Sequence, residues 1–359
     1  MTQCNIGADY LRNYIVELFA ACGVSDIQRR VVALNLVWSE LIGRTNYGMA
    51  RVPILVKRVE QGLLNPACKP VFETLSNSCA RLDADNGFGH YAGDIAMRRA
   101  VEMAGQTGIG LVGVKNSNFY GVGAYFVDLA AKQGMVSLAL SNSVPNVVAH
   151  GGTLPVFGTN PFAFGAPRQN GKNLMVDFAT SQMAASSARE YMAKNKPLPE
   201  GLAILPNGEA LTDPTRLSEG SLTPFGGAKG YGIGLMVEML SGILTGSGFS
   251  HSVKSMYSDF SQNSNSGHCL IAIDISKWMK LEEFYQRFEM LIDILKASNA
   301  RDEVLLPGEI RWRNHQENLK SGIKIPVELA DRLDNLSRPY GVVPPWEESK
   351  IAMLFDKTS

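Results

Sequence analysis

Between Pro224 and Gly246 the chain reads PFGGAKGYGIGLMVEMLSGILTG. A glycine pair, one lysine and three further glycines run straight into an apolar stretch of helical period. Glycines at 230, 232 and 234 let backbone approach a ligand closely. Lys229 places one positive charge at the mouth of the helix, where unpaired N–H groups also favour anions. A phosphate-bearing cofactor suits such a segment. A helix entered through a flexible loop, its glycines serving helix packing, suits it equally, and the segment alone leaves both readings open.

The flanking pattern predicts the elements that must position this chemistry. From Ala8 to about Gln61 the chain reads as helices: Tyr10, Leu11, Tyr14, Ile15, Leu18 and Phe19 recur at helical spacing, as do Val31, Val32, Leu34, Leu36 and Val37. Gly23 and Gly62 stand where helices should stop. Residues 80–93 (ARLDADNGFGHYAG) predict a short strand and an Asp-Asn-Gly turn, followed by a helix through Met103. Apolar runs of strand length follow at Leu111–Val114, Val136–Ser141, Phe162–Ala166, Leu174–Phe178 and Cys269–Ile273. Helices are expected at Gly123–Lys132, Tyr231–Leu244, Leu281–Ala297 and Ile325–Leu336, and a Pro-rich strap at residues 341–349. Strands interleaved with helices predict a mixed α/β sheet. Gly108, Gly110 and Gly113 spell G-x-G-x-x-G, but the dinucleotide fingerprint must follow a strand and open a helix. Here a helix precedes the glycines and a strand runs through them, so a Rossmann turn is not expected.

Bulk properties narrow the function. The 359 residues carry 34 basic and 34 acidic side chains, which gives no electrostatic case for nucleic acid or a membrane surface. The five cysteines, Cys4, Cys22, Cys68, Cys79 and Cys269, lack C-x-x-C spacing. That argues against a disulfide framework or structural zinc and suits a reducing cytoplasm. No signal peptide is expected at the N-terminus, no apolar run reaches membrane-spanning length, and no metal-ligand spacing such as H-E-x-x-H occurs. His90, His251, His268 and His315 read as structural or surface histidines: a helix cap at 90, a satisfied backbone carbonyl at 268.

Seven segments in order carry a resemblance over nearly the whole length: GMARVPILVKRVEQGLLNP (48–66), LDADNGFG (82–89), VKNSNFYGVGAYF (114–126), FGTNPFAFGAP (157–167), VDFATS (176–181), GGAKGYG (226–232) and LLPGE (305–309). With them the chain resembles the malate/L-lactate dehydrogenase family that lacks a Rossmann fold, with its sulfolactate and ureidoglycolate dehydrogenases and piperideine-2-carboxylate reductases. The resemblance implies a mixed-sheet, sulfolactate-dehydrogenase-like α/β domain at 73–306. It also implies a helical domain made by both chain ends, 1–72 completed by 307–359. It implies a homodimer working on a small carboxylate as an NADH- or NADPH-dependent reductase of 2-oxo or cyclic 2-imino acids, including ketimines. The rival reading is an inactive relative that serves as a binding or scaffold protein.

By the same resemblance, the cofactor would lie against Asn118, Phe119, Tyr120, Gly121, Asp177, Thr180, Ser181, Lys229, Gly230, Pro307, Gly308 and Glu309. Asp177 suits a ribose hydroxyl, or equally a helix cap. Arg51 and Thr159 match the substrate-holding positions, and a guanidinium fork offers a carboxylate charge and bidentate geometry together. Candidates for a 2′-phosphate are Arg168, Arg301, Arg311 and Arg313. The chain also departs from the family. Ser-His-Gly before Arg51 is here Asn46-Tyr47-Gly48, Asn-His-Phe-Gly is Asn118-Phe119-Tyr120-Gly121, and Gly-Gly-His-Lys-Gly is Gly226-Gly227-Ala228-Lys229-Gly230. Ala185, Ser186 and Ser187 replace charged residues beyond Ser181. A phenol beside a cation can have its pKa lowered, so Tyr47 is the expected proton donor in place of the family histidine, with Tyr120 or His150 as alternatives. A protonated imine needs no proton in the hydride step, which makes the missing histidine easier to reconcile with a 2-imino acid.

Overall fold

The computed structural model describes residues 3–184, 191, 194, 196–298 and 303–346. The replaced positions 185–187, Arg301 and the end of the proline-rich strap lie outside these. A strand β1 (Gln3–Ile6) precedes three helices, α1 (Ala8–Ala21), α2 (Asp26–Leu41) and α3 (Val52–Glu60). Leu11, Tyr14, Ile15, Leu18 and Phe19 of α1 are all buried, as their spacing predicts. Gly23 and Gly62 end α1 and α3 with φ of 80° and 67°, a left-handed turn that a Cβ would strain. Pro53, in the first turn of α3, costs no hydrogen bond there.

β2 (Val71–Thr74), β3 (Cys79–Asp83), α4 (Gly89–Thr107), β4 (Ile109–Ser117), α5 (Gly123–Ala131) and β5 (Met135–Ser141) follow. Short strands β6 (Val147–Val148) and β7 (Pro155–Phe157) lead to the hairpin of β8 (Phe162–Ala166) and β9 (Leu174–Phe178). Beyond β10 (Ala203–Ile204) and β11 (Ser221–Leu222) come α6 (Ala228–Glu238), β12 (Ser266–Asp274) and α7 (Leu281–Ala297). α8 (Glu309–Ser321), β13 (Ile323–Pro326) and α9 (Val327–Ser337) complete the chain. One seven-stranded sheet runs in the order β2-β3-β4-β12-β5-β8-β9. β3 and β4 are parallel and the other neighbours antiparallel. The sheet is mixed, as expected. Gly108 caps α4 in the left-handed region and β4 starts one residue later, so the G-x-G-x-x-G match is a helix stop and a strand.

Alternation along β12 splits the apolar residues between two faces. Leu270 and Ala272 pack with α4 and α5. Cys269 and Ile271 pack under Val237 of α6. A separate apolar cluster joins α1–α3 to Ile323, Ile325, Leu333 and Trp346, and β1 pairs with β13. Two expectations needed adjustment. Ile325 lies in β13, because Pro326 takes an extended ψ of 141° and the helix starts only after it. The helix expected at Tyr231–Leu244 starts earlier, at Ala228, and widens to π geometry over Met239–Ile243.

Candidate active site

β4, β5 and β9 point the same way, and their C-terminal ends open on one cavity of about 510 Å³. Among the described residues its walls come from six separate parts of the chain: the turn between α2 and α3, the loop from β4 to α5, the segment after β5, Thr159 and Pro161 ahead of β8, the end of β9 with the residues after it, and residues 254–266. Ligands gather at such strand ends, and the volume is that of a small-molecule site.

The α2–α3 turn carries Tyr47 and Arg51, both lining the cavity. Glu40, at the end of α2, holds it in place: its Oε1 accepts the Met49 N–H at 2.6 Å. A Cβ on Gly48 would lie 2.3 Å from that same oxygen, so only glycine fits. Burial raises the Glu40 pKa to about 8, with the Met49 hydrogen bond opposing. Arg51 is 9% exposed. Its guanidinium carbon lies 5.7 Å from the Tyr47 ring, 5.4 Å from Phe119 and 5.3 Å from Tyr257. Tyr47 and Phe119 are themselves stacked, 15° from parallel. The arrangement is a cation set among rings, suited to an anion that also presents a flat or apolar part.

Phe119, Tyr120 and Gly121 line the cavity, whereas Asn118 does not. The Asn118 amide instead donates to the Asn86 and Gly87 carbonyls and to Asn86 Oδ1, pinning the β4–α5 loop to the Asp-Asn-Gly turn. Tyr120 is stacked between Phe126 and His268, and its buried hydroxyl has no partner among the described residues. Burial, then the charge of Asp177, then Tyr47, push its pKa well above the usual tyrosine value. His268 bonds Ser141 Oγ at 2.8 Å and Ser117 Oγ at 2.9 Å, beside the backbone of Asn118 and Gly267. Burial lowers the pKa of both His268 and His90 to about 3. His90 is packed edge-on to Phe119, and neither ring nitrogen has a partner among the described residues.

Thr159 lines the cavity beside Ser143, their hydroxyls 3.4 Å apart. Next to it, Asn160 adopts a φ of +32° and bonds Glu238 and the Gly234 carbonyl, tying β8 to α6. Asp177 and Ser181 line the cavity. Asp177 accepts the Ala124 N–H at 3.2 Å, capping α5, and pairs with Arg311 at 3.3 Å. Thr180 spends its hydroxyl on the Thr159 and Asn160 carbonyls and stands behind the wall. Lys229 is exposed, and neither it nor Gly230 lines this cavity. Pro307, Gly308 and Glu309 lie apart from it: Pro307 accepts from Met175 of β9, and Glu309 joins Lys296 and the Leu306 N–H. His150 lines a different cavity, with Gly226 and Gly227. Arg168 pairs with Glu289, Arg311 with Asp177 and Arg313 with Glu303.

No histidine lines the Arg51 cavity among the described residues. The structure adds Arg44, Ser141–Ser143, Asn146, Lys254, Met256 and Tyr257 to its walls. The Ser-Asn-Ser run after an apolar strand was a usable signal for the second group. Nothing in residues 254–257 marked the last three. Among the described residues, no group of three or more His, Cys, Asp or Glu could hold a metal ion, and no helix is long and apolar enough to cross a membrane.

Known proteins share this architecture. The malate/L-lactate dehydrogenase family model matches residues 6–334. A malate dehydrogenase from Pyrococcus abyssi is 36% identical over 94% of this chain and 95% of its own. A delta(1)-pyrroline-2-carboxylate/delta(1)-piperideine-2-carboxylate reductase from Pseudomonas syringae pv. tomato is 31% identical over 89% of this chain and 93% of its own. The crystal structure of malate dehydrogenase from Entamoeba histolytica superposes with a TM-score of 0.91 at 27% identity, covering 96% of this chain and 99% of that one. With its mixed sheet, its match from end to end and its strand-end cavity, the chain belongs to the malate/L-lactate dehydrogenase family of oxidoreductases.

Proposed function

We propose that this protein is an NADH- or NADPH-dependent reductase of small 2-oxo or cyclic 2-imino carboxylates. Arg51 and Thr159 bind the substrate carboxylate, and Tyr47 takes the position of the proton donor. The observation that carries this reading is the buried Arg51 guanidinium facing a strand-end cavity with the Tyr47 ring beside it.

The residues present fit a nicotinamide nucleotide. The buried Tyr120 hydroxyl and Asn146 Oδ1 line the cavity without partners among the described residues, which suits a carboxamide or a ribose hydroxyl. Phe119, Gly121, Asp177 and Ser181 complete that wall. Asn118 and Thr180 support it from behind. Arg168, Arg311 and Arg313 are committed to carboxylates, so Arg44, exposed at the cavity wall, is the better candidate for a phosphate. Lys229, Gly230 and the Pro307–Glu309 turn lie outside the cavity and are proposed to meet a more distant part of the extended nucleotide. When bound, the nucleotide supplies hydride to the substrate's C2.

Tyr47 then gives its proton to the carbonyl oxygen, and the Arg51 cation favours the phenolate left behind. Tyr120 keeps its proton, since its pKa is raised, and acts as a hydrogen-bond donor. A protonated imine brings its own proton and asks nothing of Tyr47. Absorbance loss of NADH and NADPH tests the reading against pyruvate, oxaloacetate, 2-oxoglutarate, phenylpyruvate, Δ1-piperideine-2-carboxylate and Δ1-pyrroline-2-carboxylate. Turnover is expected; failure of both nucleotides to bind would leave the scaffold alternative.

The apolar cluster that joins α1–α3 to Ile323, Ile325, Leu333 and Trp346 supports a helical unit of residues 1–72 with 307–359, packed on an α/β unit of 73–306 through Trp38, Ile42, Phe88 and Tyr91. Limited proteolysis should cut first near these junctions. A homodimer is supported by the apolar face that α6 and its π turn expose, with Leu235, Met236, Met239, Ile243 and Leu244. Sedimentation at one protomer mass would refute it. Cys22, Cys68, Cys79 and Cys269 are free, which agrees with a reducing cytoplasm.

A further inference from the structure

The wall that carried no sequence signal is held in place by α3. The Arg58 guanidinium, 1% exposed, donates from Nη1 to the Asp259 carbonyl at 3.0 Å and the Met256 carbonyl at 3.4 Å. Its Nη2 donates to the Gln262 carbonyl at 3.2 Å. No carboxylate forms a salt bridge with it among the described residues, so burial of this charge is offset by the carbonyls of a single loop. Lys57 adds a second hold, its ammonium 4.2 Å from the Phe260 ring. Arg51 and Arg58 are seven residues apart, about two helical turns, and so share a face. The same short helix thus presents the carboxylate-binding cation at its start and anchors the 256–262 loop near its end. The loop brings Met256 to the cavity wall and the Tyr257 ring to 5.3 Å from Arg51.

We propose that Tyr257, held by the Arg58-anchored loop, is a specificity residue of the reductase site. It selects carboxylates whose C2 substituent is flat and apolar, an aryl group or a ring-closed imino chain, over those with a second anionic group. This rests on the reductase reading given above. Tyr47, Phe119 and Tyr257 surround Arg51 with rings, and Met256 extends the apolar wall. A second anion held among these rings would be desolvated against apolar surface. Lys254 is tied to the His251 carbonyl at 2.8 Å, and Arg44 is exposed to solvent.

Calorimetric titration of the full chain with NAD⁺ and NADP⁺, then with phenylpyruvate and oxaloacetate in the presence of the oxidised nucleotide, measures selection without turnover. Phenylpyruvate should bind at least about tenfold more tightly than oxaloacetate. Tyr257→Ala should bring the ratio close to one by weakening phenylpyruvate, while Tyr257→Phe preserves it. Arg58→Lys keeps the charge but not the three-carbonyl geometry, and should weaken phenylpyruvate with the nucleotide Kd unchanged. Oxaloacetate binding as tightly as phenylpyruvate, a ratio unmoved in Tyr257→Ala, or no carboxylate binding to the loaded protein would each overturn the proposal. If neither nucleotide binds, the reductase reading falls, and the same ratio on the nucleotide-free protein still decides the role of Tyr257.

Discussion

Replacing Glu40 by glutamine isolates the support under the Tyr47–Arg51 turn. Glu40 is 2% exposed, and its folded pKa of about 8 compares with an ordinary value of 4.5. The unfolded chain therefore loses this proton well before the folded one does. Between those two values the native state holds the extra proton, so stability falls as pH rises and the loss is complete only above 8. Each pH unit in the middle of that window costs about 1.4 kcal/mol, and with the shallower slope at its two ends the loss between pH 5 and pH 8 is about 3–4 kcal/mol. The variant cannot ionise and escapes this slope. Its Oε1 can still accept the Met49 N–H, while its amide must find an acceptor where Oε2 has none among the described residues. That cost is about 1–3 kcal/mol and independent of pH, so the comparison to make is of slopes. For a chain of this length about 3 kcal/mol corresponds to about 4 °C in Tm. Calorimetric Tm values from pH 5 to pH 8 should therefore converge or cross as pH rises, with the variant gaining on the wild type by that amount. Parallel curves would mean that Glu40 is already ionised in the folded protein and that the turn is held otherwise. Ionisation near pH 8 should also loosen the turn, raising KM for carboxylate substrates in the wild type but not in the variant.

Three substitutions test the cavity itself. Arg51→Lys retains the charge and loses the planar fork; KM for carboxylates should rise by about tenfold or more while kcat changes less, and an unaltered KM would move the carboxylate elsewhere. Tyr47→Phe should lower kcat for 2-oxo acids by about 100-fold and for cyclic imines much less, as read from pH profiles with both substrate types. Equal loss on both would remove Tyr47 from proton delivery. Tyr120→Phe deletes a buried hydroxyl that has no partner among the described residues, so Tm should hold or rise while nucleotide affinity by fluorescence titration falls. A Tm drop of several degrees would show that the hydroxyl is already satisfied within the protein.

Much of the fold was legible because local pattern and burial agree. Phe162–Ala166, Leu174–Phe178 and Leu281–Ala297 occupy the expected elements residue for residue. Strand ends were less legible where pairing decides them: β4 continues to Ser117 because Ser266 of β12 pairs with it there, beyond the apolar run. Ile325 reads as helix by spacing, yet β1 lies alongside and pairs Cys4 with it. A short segment's state is then set by a partner more than three hundred residues away in sequence, which no window can register.

The site divides in the same way. Tyr47, Arg51, Phe119, Tyr120, Gly121, Thr159, Asp177 and Ser181 stand in distinctive motifs and converge on one cavity. Asn118 and Thr180 belong to the same motifs, yet their hydrogen bonds go to the frame. A motif records that a segment keeps its shape, and hydrogen bonds spent inward contribute to that as much as groups turned outward. Asn118 spends its amide on three acceptors of the preceding turn, and Thr180 spends its hydroxyl on two carbonyls. Tyr257 shows the converse. It sits in a stretch with no periodicity, and its place beside Arg51 depends on Arg58, a basic residue that the sequence pattern did not mark. Only the fold reveals that this guanidinium is buried against the 256–262 loop. The place of Tyr257 at the cavity therefore rests on an interaction between two segments, each unmarked by itself.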